Sequence, residues 1–540
     1  MQCIQCKSPF EITSADWAFY QKMSVPDPKL CPDCRQQRRL SFRNERSLYH
    51  LKSHLSGKQM ISMYSPDKPY KVYDQSEWWG DQWDGLTYGR DFDFNRPFFE
   101  QFHELMLEVP RINLINREHE NSEYCNFAIK NKNSYLLFTS AECEDSYYCN
   151  RSWKLKDVCD ASNANECELS YEIIDSDHCY HCAWLQNASN CSDCFLGYNL
   201  KGCHHCFGCY GLTNASYRVG NKQLTKQAYE ELLPSLWKDF KKVQKNYQQH
   251  LQKLPRKYID GINVEDCTGN ALFHSKNCKN CFELMNGQDC RYVANVTYMK
   301  DSYDINNDDN SELVYEAVGS ESNYFHRFND ICWFNTNITY CSLCFSSHDL
   351  FGCVGLRHKE YCILNKQYSK EEYEQIVGQI VGHMVATKEW GEFFPSTISP
   401  FAYNETMAVE HFPLKKEEVL RRGLAWKDDD GKKSYKGPQV DVPRKIEDVT
   451  DDIVNQILLC EVTGKPYKIT PQELRLYRKL DIPVPRRCPD QRHQDRLALR
   501  NPRKLYARTC VKCSAPIQTT YALNRPEIVY CETCYLKEIY

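Results

Sequence analysis

The chain has 540 residues, enough for several domains that each bury their own core. Its formal net charge of -4 excludes a global polycation that would coat nucleic acid indiscriminately. Thirty-one cysteines would suit a disulfide scaffold in a short secreted chain. However, no leader-like segment follows Met1, and no apolar run nears the ~20 residues a membrane helix needs, so a cytoplasmic protein with reduced thiols and no membrane contact is expected.

Residues 1–59 open on two Cys-x2-Cys knuckles, Cys3/Cys6 and Cys31/Cys34, followed by the basic segment RQQRRLSFRNERSLY, residues 35–49. Paired thiolates at i and i+3 supply tetrahedral ligands, and four of them close the coordination sphere. The expectation is therefore structural Zn2+ and not catalytic metal. On a helix Arg35, Arg39, Arg43 and Arg46 fall on one face. Residues 60–117 form an aromatic-rich connecting segment, with a helix expected from Pro97 to Leu107. Its Trp78, Trp79, Trp83, Phe92 and Phe94 are candidate anchors for a protein partner, against ordinary core packing.

From residue 118 the chain repeats with a 24-residue spacing: Cys143, Cys167 and Cys191; Cys125 and Cys149; Cys179 and Cys203; Cys182 and Cys206. Such a period indicates stacked units. Residues 118–258 read as a first β-solenoid with a capping helix, in which Pro234 should kink or end the helix early. Residues 259–395 read as a second, because CSLCFSSHDLFGC (341–353) repeats CSDCFLGYNLKGC (191–203), and each runs into a related helix. Thr225 and Ser369 are the expected N-caps, the latter in a capping box with Glu372. The cysteines and histidines of residues 178–209 resemble a cluster site, but their stacking favours an interior of small residues. DINNDDNSE, residues 304–312, could bind Ca2+ or pair carboxylates for glycoside chemistry; Asp/Asn runs more often make solvated turns.

Residues 396–455 are expected to be a linker, most charged over 427–446. Residues 456–508 repeat the N-terminus at an offset of 457: Cys460 and Cys488 match Cys3 and Cys31, while Thr463 and Gln491 stand for Cys6 and Cys34. Arg492, Arg496, Arg500 and Arg503 recur for the four arginines, and Pro502 should end that helix near Asn501. With half its ligands gone this copy is expected to hold two buried thiols without metal, His493 being a fallback ligand. Residues 509–540 carry a second full set, Cys510, Cys513, Cys531 and Cys534.

The stretch CIQCKSPFEITSADWAFYQKMSVPDPKLCPDCRQQRR resembles the probable zinc-ribbon family of short bacterial domains, in its CxxC pairs, the hydrophobics between them and the CPxCR close. The whole layout resembles large uncharacterised bacterial zinc-ribbon proteins. The resemblance implies two zinc ribbons and a bacterial cytosolic origin, with no activity attached.

The ends carry about twice as many basic as acidic residues, whereas the middle is acidic. The expected fold class is mainly β and multidomain: two right-handed parallel β-solenoid stacks with capping helices, flanked by zinc-ribbon modules. The expected function is a non-enzymatic scaffold, with the eight arginines presented to RNA or the ribosome. Alternatives are docking of those arginines on the acidic middle, a protein-assembly platform, or a carbohydrate-active solenoid. No catalytic residue or organic cofactor site is expected, since no nucleophile elbow, phosphate loop or dinucleotide fingerprint occurs in usable context.

Overall fold

The computed structural model describes residues 1–428, 437 and 440–539. Strand residues outnumber helical ones, and the two largest sheets are built almost wholly of parallel pairs. The first runs from Asn116 to Val219, the second from Gly261 to Ile363.

The register is the organising fact. Parallel partners in the two sheets lie 12 residues apart, as in Tyr171↔Ala183↔Phe195↔Phe207↔Val219 and Leu272↔Leu284↔Val296↔Asp308, except at the start of the second, where Gly261 pairs with Leu272. The 24-residue spacing of the cysteines is thus two steps of 12, which corrects the period read from sequence. Four ladders run side by side in the first stack, through Glu120↔Lys132, Tyr135↔Tyr147, Phe138↔Asn150 and Ala141↔Trp153. Between ladder positions the backbone turns every third residue through the left-handed region, for example Lys130, Asn133, Leu136, Thr139 and Glu142. That conformation is costly for most residues and, after glycine, least so for Asn and Asp, which favours them at these positions.

The residue after each left-handed one points inward. Ser122, Cys125, Ala128, Asn131, Ser134, Leu137, Ser140 and Cys143 are all buried. The series continues through Cys179, Cys182, Cys191, Cys194, Cys203, Cys206 and Cys209, none exposed beyond 2%. Their Cys-x2-Cys spacing is therefore the three-residue inward period, not a set of metal knuckles. Each thiol donates to backbone carbonyls: Cys143 Sγ reaches Ala141 O at 3.3 Å and Ser152 O at 3.7 Å. Ser134, Ser146 and Asn131 bridge successive levels in the same way. The histidines lie on the outer surface, contrary to the expected interior: His178 and His181 meet Asp177, Glu166 and Asp193.

Helices close the ends of both stacks. Lys226–Lys238 starts from the Thr225 cap, and Lys370–Ala386 starts from the Ser369–Glu372 capping box. Pro234 does not end the first helix early; the helix continues to Lys238 before turning into Phe240–Leu251. The helix expected at Pro97 spans Phe98–Glu108. Residues 396–428, expected as linker, fold onto the N-terminal module: Met407, Ala408 and Val419 cluster with Leu40. Of the charged stretch 427–446, residues 429–436, 438 and 439 lie outside the described residues.

Candidate metal centres and the arginine seams

At each end of the chain two knuckle modules follow one another. Module A spans residues 1–48, B 49–80, C 456–505 and D 506–539. Three backbone hydrogen bonds define each knuckle. In A they are Cys3 N→Ser8 O, Lys7 N→Cys3 O and Ile4 N→Lys29 O; in C, Cys460 N→Lys465 O, Gly464 N→Cys460 O and Glu461 N→Arg486 O. Module D has Cys510 N→Ala515 O, Ser514 N→Cys510 O and Val511 N→Val529 O.

Module B repeats D at the same 457-residue offset, which the sequence reading missed. Ser53 N→Lys58 O, Gly57 N→Ser53 O and His54 N→Val72 O reproduce the set. Tyr49, Tyr64, Val72 and Trp78 stand where D has Tyr506, Tyr521, Val529 and Tyr535. The faint signal was YHLKSHLSGKQMISMY (49–64) against YARTCVKCSAPIQTTY (506–521), obscured because all four cysteines are gone.

Two modules thus keep four thiols and two have lost ligands, one of each kind at each end. The four ligand atoms of Cys3, Cys6, Cys31 and Cys34 lie within 4.8 Å of one another, as do those of Cys510, Cys513, Cys531 and Cys534. Either set could hold a metal ion. Among the described residues no other Cys/His/Asp/Glu group meets that geometry. In C, Thr463 Oγ1 lies 3.9 Å from Cys488 Sγ, and His493 turns away to Glu410 at 3.1 Å, so it is no fallback ligand. In B the four positions are Ser53, Ser56, Asp74 and Glu77. Ser53 Oγ donates to Glu77, Asp74 N donates to Glu77 at 3.2 Å, and Asp74 caps the short helix Gln75–Trp78. Hydrogen bonds to Ser53 and Ser56 hold the Glu77 carboxyl below its ordinary range, against the opposing effect of desolvation.

The arginines are the largest correction. Of the eight candidates, only Arg35 and Arg39 lie on the helix Pro32–Leu40, and only Arg492 and Arg496 on Pro489–Leu499; Arg43, Arg46, Arg500 and Arg503 follow outside the helices, in irregular chain. Arg35, Arg39, Arg43, Arg492, Arg496 and Arg503 are buried, and Arg46 and Arg500 are half-buried. The expected cationic row facing a polyanion is therefore absent. A guanidinium already desolvated and paired has no field to offer a phosphate.

Instead, module A docks on the second stack and module C on the first, through the same contacts. Arg35 and Arg39 hold Asp304 at 2.8 and 3.1 Å. Arg492 and Arg496 hold Asp160 at 3.2 and 2.5 Å. Asp160 and Asp304 are 144 residues apart, twelve register steps, and the surroundings follow the same shift. Arg39 Nε donates to Asn306 and Arg496 Nε to Ser162, both at 3.3 Å. The Arg35 guanidinium lies over Tyr292, and that of Arg492 over Tyr148. Tyr20 meets Tyr315 as Tyr477 meets Tyr171. The run DINNDDNSE is thus a docking surface at Asp304 and Asn306, not a solvated turn.

Arg43 and Arg500 then reach across to the opposite stack. Arg43 donates to Thr139 at 3.0 Å and passes close to Gly319. Arg500 takes the equivalent positions, Glu283 at 2.6 Å and Asp175 at 2.9 Å. Arg503 joins Glu283, and Arg46 reaches Asp490 of module C at 3.7 Å. One pairing is unequal. Arg38 binds Glu316 at 2.9 Å, but its counterpart is Asp495, so Glu172, matching Glu316, makes no ion pair among the described residues; burial and the nearby Asp160 push it up to about 7 against the opposing pull of Arg496 and Arg492.

The aromatic candidates are mostly core. Trp78 and Phe92 are buried, Trp83 is half-buried, and Trp78 and Trp79 pack on Phe345. Only Trp79 and Phe94 show substantial exposed surface, so no continuous anchor patch exists. In the last module Arg525 pairs with Glu527 and Lys512 with Glu538.

No protein-family model matches the chain, and no curated protein matches it. Among the described residues no helix is long and apolar enough to cross a membrane.

Proposed function

We propose that the protein is a non-enzymatic scaffold in which a structural zinc ribbon, module A, and its metal-free copy, module C, fasten two parallel β-solenoids into one rigid body, with a second structural zinc ribbon in module D. The duplicated Arg35/Arg39–Asp304 and Arg492/Arg496–Asp160 contacts carry this reading. They account for the persistence of the arginines in module C after its ligands were lost: the arginines serve docking, which does not need the metal. The four side-by-side ladders support a four-sided coil of 12 residues per turn. All-thiolate coordination, with no open position, supports a structural metal and favours Zn2+ over harder cations.

Nucleic acid is not part of this reading, because its proposed ligands are the buried arginines. The deciding experiment is elemental analysis of the purified full chain together with filter binding to RNA at low salt. Two zinc ions per chain and no RNA retention are expected. Absence of zinc, or RNA binding lost on Arg39→Ala, would overturn the proposal.

A further inference from the structure

A cavity of about 370 Å³ opens where the two stacks, the helix Phe240–Leu251 and modules C and D meet. The equivalent place at the other seam is filled. There Trp79 packs on Phe345 with ring centroids 5.0 Å apart. Shifted by 457 and 144 residues, those two positions are Leu536 and Lys201, and both line the cavity. Loss of one aromatic pair leaves the opening.

Arg256 lines this cavity and is only 9% exposed. Its guanidinium lies 4.0 Å from the Tyr198 ring centroid, and Nη2 donates to Leu251 O at 3.3 Å. Nη1 has no partner, and among the described residues no carboxylate lies within ion-pair distance of Arg256. At the filled seam Arg111, displaced by one residue from the equivalent position, uses Tyr64 OH at 3.0 Å and Ser342 Oγ at 3.4 Å; its Nη1 likewise lacks a partner, so what sets Arg256 apart is the cavity beside it. Arg503, 8% exposed, also lines the cavity with Nε and Nη1 unpartnered. The nearby Asp175, Glu283 and Glu527 are already engaged by Arg500, Arg503 and Arg525, while Glu172 and Asp260, which also line the cavity, are pushed up toward their neutral acids by burial and by the neighbouring Asp160 and Asp175. A desolvated guanidinium with free N–H groups and no counter-ion is costly unless an anion completes it.

We propose that this cavity binds a small molecule through one oxyanion group, a phosphate or a carboxylate, held by Arg256 and Arg503 beside Tyr198. The volume admits a small metabolite and not a polymer.

The test is calorimetric titration of the full chain with inorganic phosphate and with acetate, in parallel with thermal unfolding, at ionic strength matched by chloride. Saturable binding of one anion and a rise in Tm beyond that in chloride are expected; phosphate alone would mark a phosphoryl ligand and acetate alone a carboxylate. Arg256→Gln should weaken binding at least tenfold. Lys201→Phe with Leu536→Trp, which rebuilds the filled seam, should abolish it and keeps the test decisive should Arg256→Gln fail to fold. Neither anion exceeding chloride, or unchanged affinity in the filled variant, would overturn the proposal.

Discussion

Arg496 and Asp160 form an ion pair of 2.5 Å in which neither side chain is more than 2% exposed. Arg39 and Asp304 repeat it at 3.1 Å in the other half of the molecule. Taking these charges out of water is affordable only because each aspartate receives two arginines and each guanidinium finds further acceptors. Modules A and C are therefore cross-wired, the first to the second stack and the third to the first.

Breaking one such contact should destabilise the fold strongly, since it leaves buried arginines uncompensated. Asp160→Asn and Asp304→Asn should each cost about 3–5 kcal/mol. Urea unfolding followed by circular dichroism would measure it, and a loss near zero would remove the clamp argument.

Metal removal should act on two modules only. Chelation under denaturing conditions should release two metal equivalents, and Cys6→Ser and Cys513→Ser should each cost one, as all-thiolate sites fold around their metal. Metal retained in the double variant would place it elsewhere.

Module B keeps the backbone of a metal knuckle with oxygen atoms at the ligand positions. Replacing Ser53, Ser56, Asp74 and Glu77 together by cysteine should add a third zinc ion per chain. In the native module, Glu77→Gln should cost about 1–2 kcal/mol through the lost charge-assisted hydrogen bonds. A quadruple variant that folds and binds only two ions would show that B is not a degenerate knuckle.

The interior thiols should resist alkylation. Burial pushes Cys125 and Cys143 up to about 12, so almost no thiolate forms near neutral pH. Since the unfolded thiol ionises near 8.5, the folded state binds more protons between that value and about 12. This contribution to stability is complete below pH ~8.5 and is lost as pH rises through the folded value. Mass spectrometry after native iodoacetamide treatment should find Cys125 and Cys143 unlabelled, and Tm should fall above pH 9. Rapid labelling at neutral pH would contradict the packed interior.

Much of the architecture was legible from local spacing. The stacked middle, both four-cysteine sets and the loss of two ligands at Thr463 and Gln491 follow from residue identities a few positions apart. The three-residue inward period was masked because Cys, Ser, Ala, Leu and Asn share one interior column, so the cysteines alone suggested 24 where the register is 12. Module B was hidden because a knuckle without cysteine has no sequence mark beyond scattered Tyr and Gly.

By itself, then, the sequence determined the repeats, the thiol sets and the presence of a retained arginine pattern, all of which depend on chemistry within one segment. Only the tertiary structure decided what the arginines do, because Asp304 lies 265 residues from Arg39 and Asp160 lies 336 from Arg496. Whether a guanidinium faces solvent or a buried carboxylate depends on which distant surface covers it. The same reason governs the cavity beside Arg256: it opens where Leu536 and Lys201 stand at the positions that Trp79 and Phe345 take at the other seam.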